Sequence, residues 1–171
     1  MKREPESRFV LQTGKQHTLV VPAQTRRRVY WSQRDAHDRD VLPEVMTLMQ
    51  RIADLADVDL QLSSGYRAGD RGNHGKHLAV DINEINGVDV GKKGDPNPAA
   101  MPLVRRVQEV ARSLPEVREN YGPAGLWKRS GRRSAPVLRR VGDSGGGNPS
   151  RDALTQLQYN HDDHVHISYQ H

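Results

Sequence analysis

Five of the eight histidines in this chain fall in two short windows, and the residues around them are of the types that bind metals. The first window reads Asn73-His74-Gly75-Lys76-His77-Leu78-Ala79-Val80-Asp81, with His74 and Asp81 seven positions apart. The second lies close to the C-terminus and reads His161-Asp162-Asp163-His164-Val165-His166-Ile167-Ser168-Tyr169. Imidazole is the commonest metal-binding side chain, and a His/Asp/His set on zinc leaves a fourth position open for water. The clustering therefore predicts a split zinc site, and with it hydrolytic chemistry.

Such a site needs ordered elements beneath both windows. Over residues 42–56 the apolar side chains Leu42, Val45, Met46, Met49, Ile52, Ala53 and Ala56 recur at helical spacing, and Pro43 suits a first turn. Val58, Leu60 and Leu62 alternate with Asp59, Gln61 and Ser63, which predicts a half-buried strand leading into Ser64-Gly65-Tyr66-Arg67. After a glycine-rich loop over 69–75, residues 78–82 read as a second strand. Alternation puts Leu78, Val80 and Ile82 on one face and Ala79 and Asp81 on the other, so Asp81 points away from the apolar side.

Asn86-Gly87 reads as a hairpin turn and 91–98 as loop, with Asn97-Pro98 as N-cap and first residue of a second helix. That helix runs to about Leu114, carrying Leu103, Val104, Val107, Val110, Ala111 and Leu114 on one side. Residues 121–150 are rich in Gly, Pro, Ser and Arg; the tract Ser144-Gly145-Gly146-Gly147 reads as flexible, ordering around substrate. A short helix at 151–158 and a terminal strand at 164–169 complete the pattern, and there are no internal repeats. Within the first forty residues the apolar burst is Leu19-Val20-Val21. Arg26-Arg27-Arg28-Val29-Tyr30-Trp31 reads as a phosphate-binding strip or, preferred here, as basic residues flanking a short strand anchored on Trp31.

At 171 residues the chain is long enough for one domain with a core and does not require two. Hydrophobic residues make up 35% and charged residues 27%, which predicts a modest core and extensive loops. A net charge of +5 and a pI near 9.7 suit an anionic partner such as nucleic acid, an anionic membrane or the bacterial wall. There are no cysteines, which excludes disulfides, thiolate catalysis and cysteine-ligated structural zinc. The N-terminus lacks the apolar core of a secretory signal and no stretch approaches a membrane span, so a soluble chain is expected.

The motif residues resemble those of the LAS superfamily of zinc peptidases, which includes D-alanyl-D-alanine carboxypeptidases and dipeptidases, penicillin-insensitive murein endopeptidases and the related hedgehog domain. That superfamily carries S-x-H-x-x-G-x-A-x-D, followed near the C-terminus by His-x-His. Here the corresponding stretches are Gly72-Asn73-His74-Gly75-Lys76-His77-Leu78-Ala79-Val80-Asp81 and His164-Val165-His166. His74, Ala79 and Asp81 match; Gly72 stands for the serine and His77 for the glycine. Ser64-Gly65-Tyr66-Arg67 resembles the strand-end motif that places a substrate-binding arginine. The likeness covers roughly residues 42–90 and 150–170.

The resemblance implies an LAS-like α+β fold: a single domain in which a small antiparallel sheet carries the zinc site, flanked by two main helices. Residues 1–40 would be a partly irregular N-terminal extension and 41–171 the zinc peptidase domain. It implies zinc ligands His74, Asp81 and His166, with His164 and His161 as catalytic groups that move protons, and Arg67, with Tyr66 beside it, binding substrate. The implied substrate is a peptidoglycan stem peptide or cross-link. With no secretory signal, the site of action would be the periplasm or cell wall, reached through phage lysis or a dedicated secretion system. In the latter case the partners would be a secretion-system carrier and an immunity protein, as for an antibacterial toxin.

Other readings stand beside these. His77 fits a group behind the ligands, a ring in the cleft, an alternative ligand or a plain structural residue. Asp162 and Asp163 fit orienters of the histidines or solvated loop charges, and either could be the base if His161 points away. Arg67 also fits a surface or capping arginine, and Tyr66 a packing aromatic. His17, His37 and His171 are read as surface residues. A metal-dependent nuclease toxin is the second functional reading, since the chain is small, basic and histidine-rich. Against it, the two windows lie far apart in sequence, and the clusters Arg26–28, Arg132-Arg133 and Arg139-Arg140 lack interleaved aromatics, so nucleic acid is not the expected partner. A zinc-bound binding module without activity is the third; the extra histidines argue against it.

Overall fold

Pro43 opens the first helix because its fixed φ is already helical and its missing N–H has no partner to lose in the first turn. The computed structural model describes residues 26–33, 39–129, 138–142 and 150–170. Along these the elements are β1 (Val29–Trp31), α1 (Pro43–Ala56), β2 (Leu60–Ser64), a 3-10 turn (His74–Lys76), β3 (Ala79–Ile85), β4 (Val88–Asp89), β5 (Gly91–Lys92), β6 (Asp95–Pro96), α2 (Met101–Ser113), β7 (Val117–Gly122), β8 (Gly125–Lys128), β9 (Arg139–Arg140), α3 (Arg151–Tyr159) and β10 (Val165–Tyr169). Among the described residues the protein is an α+β fold with three α-helices and a mixed sheet. None of the described helices is long and apolar enough to cross a membrane.

The principal sheet has eight strands in the order β1-β2-β3-β10-β7-β8-β9, with β4 paired to β3. It is larger than the small antiparallel sheet expected, and it is not purely antiparallel: β1 runs parallel to β2, with Val29, Tyr30 and Trp31 opposite Leu60, Gln61 and Leu62. Part of the segment read as an N-terminal extension thus belongs to the sheet. The strand anchored on Trp31 is present, and its arginines are engaged: Arg27 pairs with Asp57 and Arg28 with Asp59. The apolar burst at 19–21, the tract at 144–147, Arg132-Arg133 and His17, His37 and His171 lie outside the described residues.

Helices α1 and α2 pack on each other and against the sheet, α1 touching β10 and α2 touching β7 and β10. Val45, Leu48, Met49, Ile52, Ala53 and Ala56 of α1 join Val104, Val107 and Ala111 of α2 and Leu62, Val80, Ile82, Val165 and Ile167 of the sheet in one core. Removing such a side chain, for example Met49→Ala at a fully buried position, typically costs ~2–5 kcal/mol because the hole does not close. Gln108 is also buried on α2, where its amide bonds Asn120 Oδ1 at 3.0 Å and the Gly125 carbonyl at 3.1 Å, fixing α2 to the β7–β8 hairpin.

Two local expectations change. Helix α2 starts at Met101: the Asn97 side chain instead accepts from Ala99 N at 3.0 Å in a turn before it. The loop expected over 91–98 contains the β5–β6 hairpin. The start of the stretch rich in Gly, Pro, Ser and Arg over 121–150 forms the β7–β8 hairpin, Tyr121 facing Leu126 and Gly122 facing Gly125. Strand β7 carries no apolar alternation, because Glu119 and Asn120 at its middle meet polar partners. The Asn86-Gly87 turn forms as expected, with φ of 54° and 76° at the two residues that close the β3–β4 hairpin.

Candidate metal centre

Register brings the two histidine windows together. On β10, His166 lies opposite Asp81 of β3 on one side and Tyr121 of β7 on the other. Val80 and Ile82 of β3, and Val165 and Ile167 of β10, are in the core. Alternation therefore turns Asp81 and His166 to the opposite face, as the strand pattern of 78–82 requires. His74 arrives from the 3-10 turn. Gly75 is needed there: a Cβ on it would stand 1.7 Å from the Asp70 carbonyl oxygen, so the loop closes over glycine alone.

The three side chains are buried, at 4%, 3% and 6% exposure for His74, Asp81 and His166. His74 Nε2 lies 3.1 Å from His166 Nδ1, His166 Nδ1 lies 3.0 Å from Asp81 Oδ1, and His74 Nε2 lies 3.2 Å from the same oxygen. They form a group that could hold a metal ion. A tetrahedral zinc with bonds of about 2.0–2.1 Å spaces its donors by roughly 3.3 Å, so one ion caps this triangle with little rearrangement. The donor types fit as well, two imidazole nitrogens and one carboxylate oxygen.

Two of these candidate ligands are held by unambiguous partners. His74 Nδ1 donates to the Gly65 carbonyl at 2.5 Å, which leaves Nε2 turned toward Asp81 and His166. Arg67 donates from Nη2 to Asp81 Oδ2 and from Nε to Ser64 Oγ at 3.0 Å, so Oδ1 is the oxygen facing both histidines. Burial alone would raise the Asp81 pKa, but hydrogen bonds from His166 and His74 more than offset it and hold the carboxyl well below the ordinary range. Burial lowers the His166 pKa, yet its contacts with Asp81 and Glu119 prevail and raise it to about 9.

The other two histidines flank the triangle. His164 Nδ1 meets Asp163 Oδ1 at 2.6 Å, and its Nε2 lies 3.6 Å from Asp81 Oδ1. Asp163 thus orients His164, while Asp162 accepts from Gln158 Nε2 at 3.0 Å. His161 Nδ1 donates to the Leu157 carbonyl at 2.7 Å, and burial lowers its pKa to about 4, so the ring is neutral near pH 7. Its ring centroid stands 5.0 Å from that of His164 and 5.7 Å from that of His166.

Arg67, His74, Asp81, His161, Asp163, His164 and His166 line one cleft of ≈ 1090 Å³ whose walls also include Ser63, Asp70, Asn83, Asp89 and Lys93. Tyr66 and His77 are not among its lining residues. They stack on each other with centroids 4.2 Å apart and planes at 3°, and His77 Nδ1 meets the Asp40 carbonyl oxygen at 3.2 Å. His77 has φ 60°, a left-handed conformation that glycine adopts freely and histidine tolerates better than most residues. Histidine in place of the glycine of the motif is thereby a backbone feature with a ring partner.

Pattern reading overlooked Glu119 and Tyr121, which β7 places beside His166. Glu119 Oε2 lies 3.5 Å from His166 Nε2, and the Tyr121 ring stacks on the His166 ring at 5.6 Å. Neither position has a metal-type spacing in sequence; only strand pairing reveals them. No protein-family model matches this chain, and comparisons with curated proteins and with solved structures find no match either.

Proposed function

We propose that the protein is a zinc metallopeptidase that hydrolyses peptide bonds in peptidoglycan stem peptides or cross-links. The observation that carries the hydrolase reading is the triangle of His74, Asp81 and His166 donors, all 3.0–3.2 Å apart, with two further histidines beside it in an open cleft. A purely structural metal site has no use for titratable groups next to its open position. The choice of peptidoglycan rests on the motif resemblance and on the basic charge of the chain.

Bound zinc would polarise the scissile carbonyl and activate the attacking water. His74 and His166 contribute nitrogen lone pairs and Asp81 one oxygen, and Arg67 keeps that carboxylate turned toward the histidines. His164, held through Nδ1 by Asp163, presents Nε2 on the cleft side, where it takes the proton of the nucleophile and returns it to the leaving amine. His161, neutral and fixed by Leu157, offers its other nitrogen as a second acceptor in the same cleft.

Incubation of the purified protein with cross-linked muropeptides, followed by mass spectrometry, tests this reading. Loss of the cross-link or of a terminal residue is expected, abolished by a chelator and restored by zinc. Intact muropeptides alongside chelator-sensitive cleavage of a nucleic acid would replace it with the nuclease reading.

A further inference from the structure

Glu119 lies beside His166, and both of its carboxylate oxygens are engaged by protein partners. Its Oε2 accepts from Asn73 Nδ2 and, at 3.3 Å, from Ser168 Oγ, and faces His166 Nε2 at 3.5 Å. Its Oε1 is paired with Lys128 Nζ at 2.8 Å. Asn73 Nδ2 also donates to Ser168 Oγ at 3.1 Å, closing a small ring of polar contacts. The elements cooperate: Glu119 is opposite Ser168 in the β7–β10 register and opposite Lys128 in the β7–β8 register, while Asn73 immediately precedes His74. One carboxylate therefore touches both windows, the loop that carries His74 and the strand that carries His166. Glu119 is 8% exposed and Ser168 0%, so this is a built feature of the interior.

We infer that Glu119 is the positioning residue of the metal centre, fixing the tautomer of His166 so that Nδ1 is the ligating nitrogen and locking the His74 loop to the same strand. A carboxylate only accepts, so with a metal held on Nδ1 the ring nitrogen opposite Glu119 would keep its proton. Nδ1 is the nitrogen that faces His74 and Asp81. Lys128 balances the charge of Glu119 from the outer side, so the centre gains an orienting acceptor without an additional net negative charge. The inference rests on the metal reading above.

Zinc affinity, measured by competition with a chromogenic chelator, and the absorption spectrum of the cobalt-substituted protein test it on wild type, Glu119→Gln and Glu119→Asp. Weakening by ~10–100-fold is expected in both variants, as for other groups behind metal ligands, with an altered cobalt spectrum. Wild-type affinity and an unchanged spectrum in both would overturn it while leaving the zinc centre intact. Should the variants fail to fold, nitrogen-15 spectra of histidine-labelled wild-type protein decide. Zinc on Nδ1 of His166 with the proton on Nε2 supports the inference, and zinc on Nε2 refutes it. A wild-type protein that binds no zinc removes the metal reading together with this one.

Discussion

Arg67 grips the outer oxygen of Asp81, Oδ2, while the inner oxygen, Oδ1, stands 3.0 Å from His166 Nδ1 and 3.2 Å from His74 Nε2. The arginine expected to bind substrate is thus the clamp of a candidate metal ligand. Arg67→Ala should therefore weaken metal binding as well as turnover, the affinity falling ~10-fold or more. Chelator competition and steady-state kinetics separate the two roles: a higher KM at unchanged zinc affinity would leave Arg67 with substrate alone.

His166→Ala should lose both metal and wall-degrading activity. His164→Ala should retain the metal and lose activity by ~10²–10⁴-fold, the usual worth of a positioned acid–base group. Metal analysis of the purified variants, paired with muropeptide digestion, reads both. A His164→Ala protein working at the wild-type rate removes His164 from proton transfer.

Metal binding should release a proton, because the His166 pKa lies near 9 in the metal-free protein. A pKa raised in the folded state stabilises the metal-free fold fully below the unfolded value of about 6.5, and that contribution disappears as pH climbs through about 9. Over that window the apo protein loses stability while zinc meets less competition from the proton. The rise in Tm on adding zinc should accordingly grow between these two pH values, and titration calorimetry in buffers of different ionisation enthalpy should show proton release that fades near pH 9. A Tm gain that is flat across the window contradicts the assignment.

His77 should matter to stability and little to the metal. The left-handed backbone costs a non-glycine residue roughly 1–2 kcal/mol, and the stack on Tyr66 returns roughly 0.5–1.5 kcal/mol. His77→Ala keeps the cost and loses the ring, so destabilisation of ~1 kcal/mol is expected; His77→Gly removes both and should be close to neutral. Urea denaturation measures the pair. Loss of zinc affinity in both variants would make His77 part of the centre.

The sequence by itself determined what is encoded locally. The apolar spacing of α1 set one wall of the core, the alternation over 78–82 turned Asp81 away from it, and histidine chemistry picked out the candidate ligands. Only the tertiary structure decided what those residues meet. Asp81 and His166 are neighbours because β3 and β10, distant in sequence, pair in one register, and a shift of a single residue would send His166 into the core. Glu119 was illegible for the same reason. Its strand carries Arg118, Glu119 and Asn120 in succession, with Asn120 bonded to Gln108 of α2 and Glu119 to Asn73 and Ser168, so no hydrophobic period announced it. Periodicity records which face of an element is apolar; the partner across a strand is fixed by long-range pairing, which leaves no spacing in the chain.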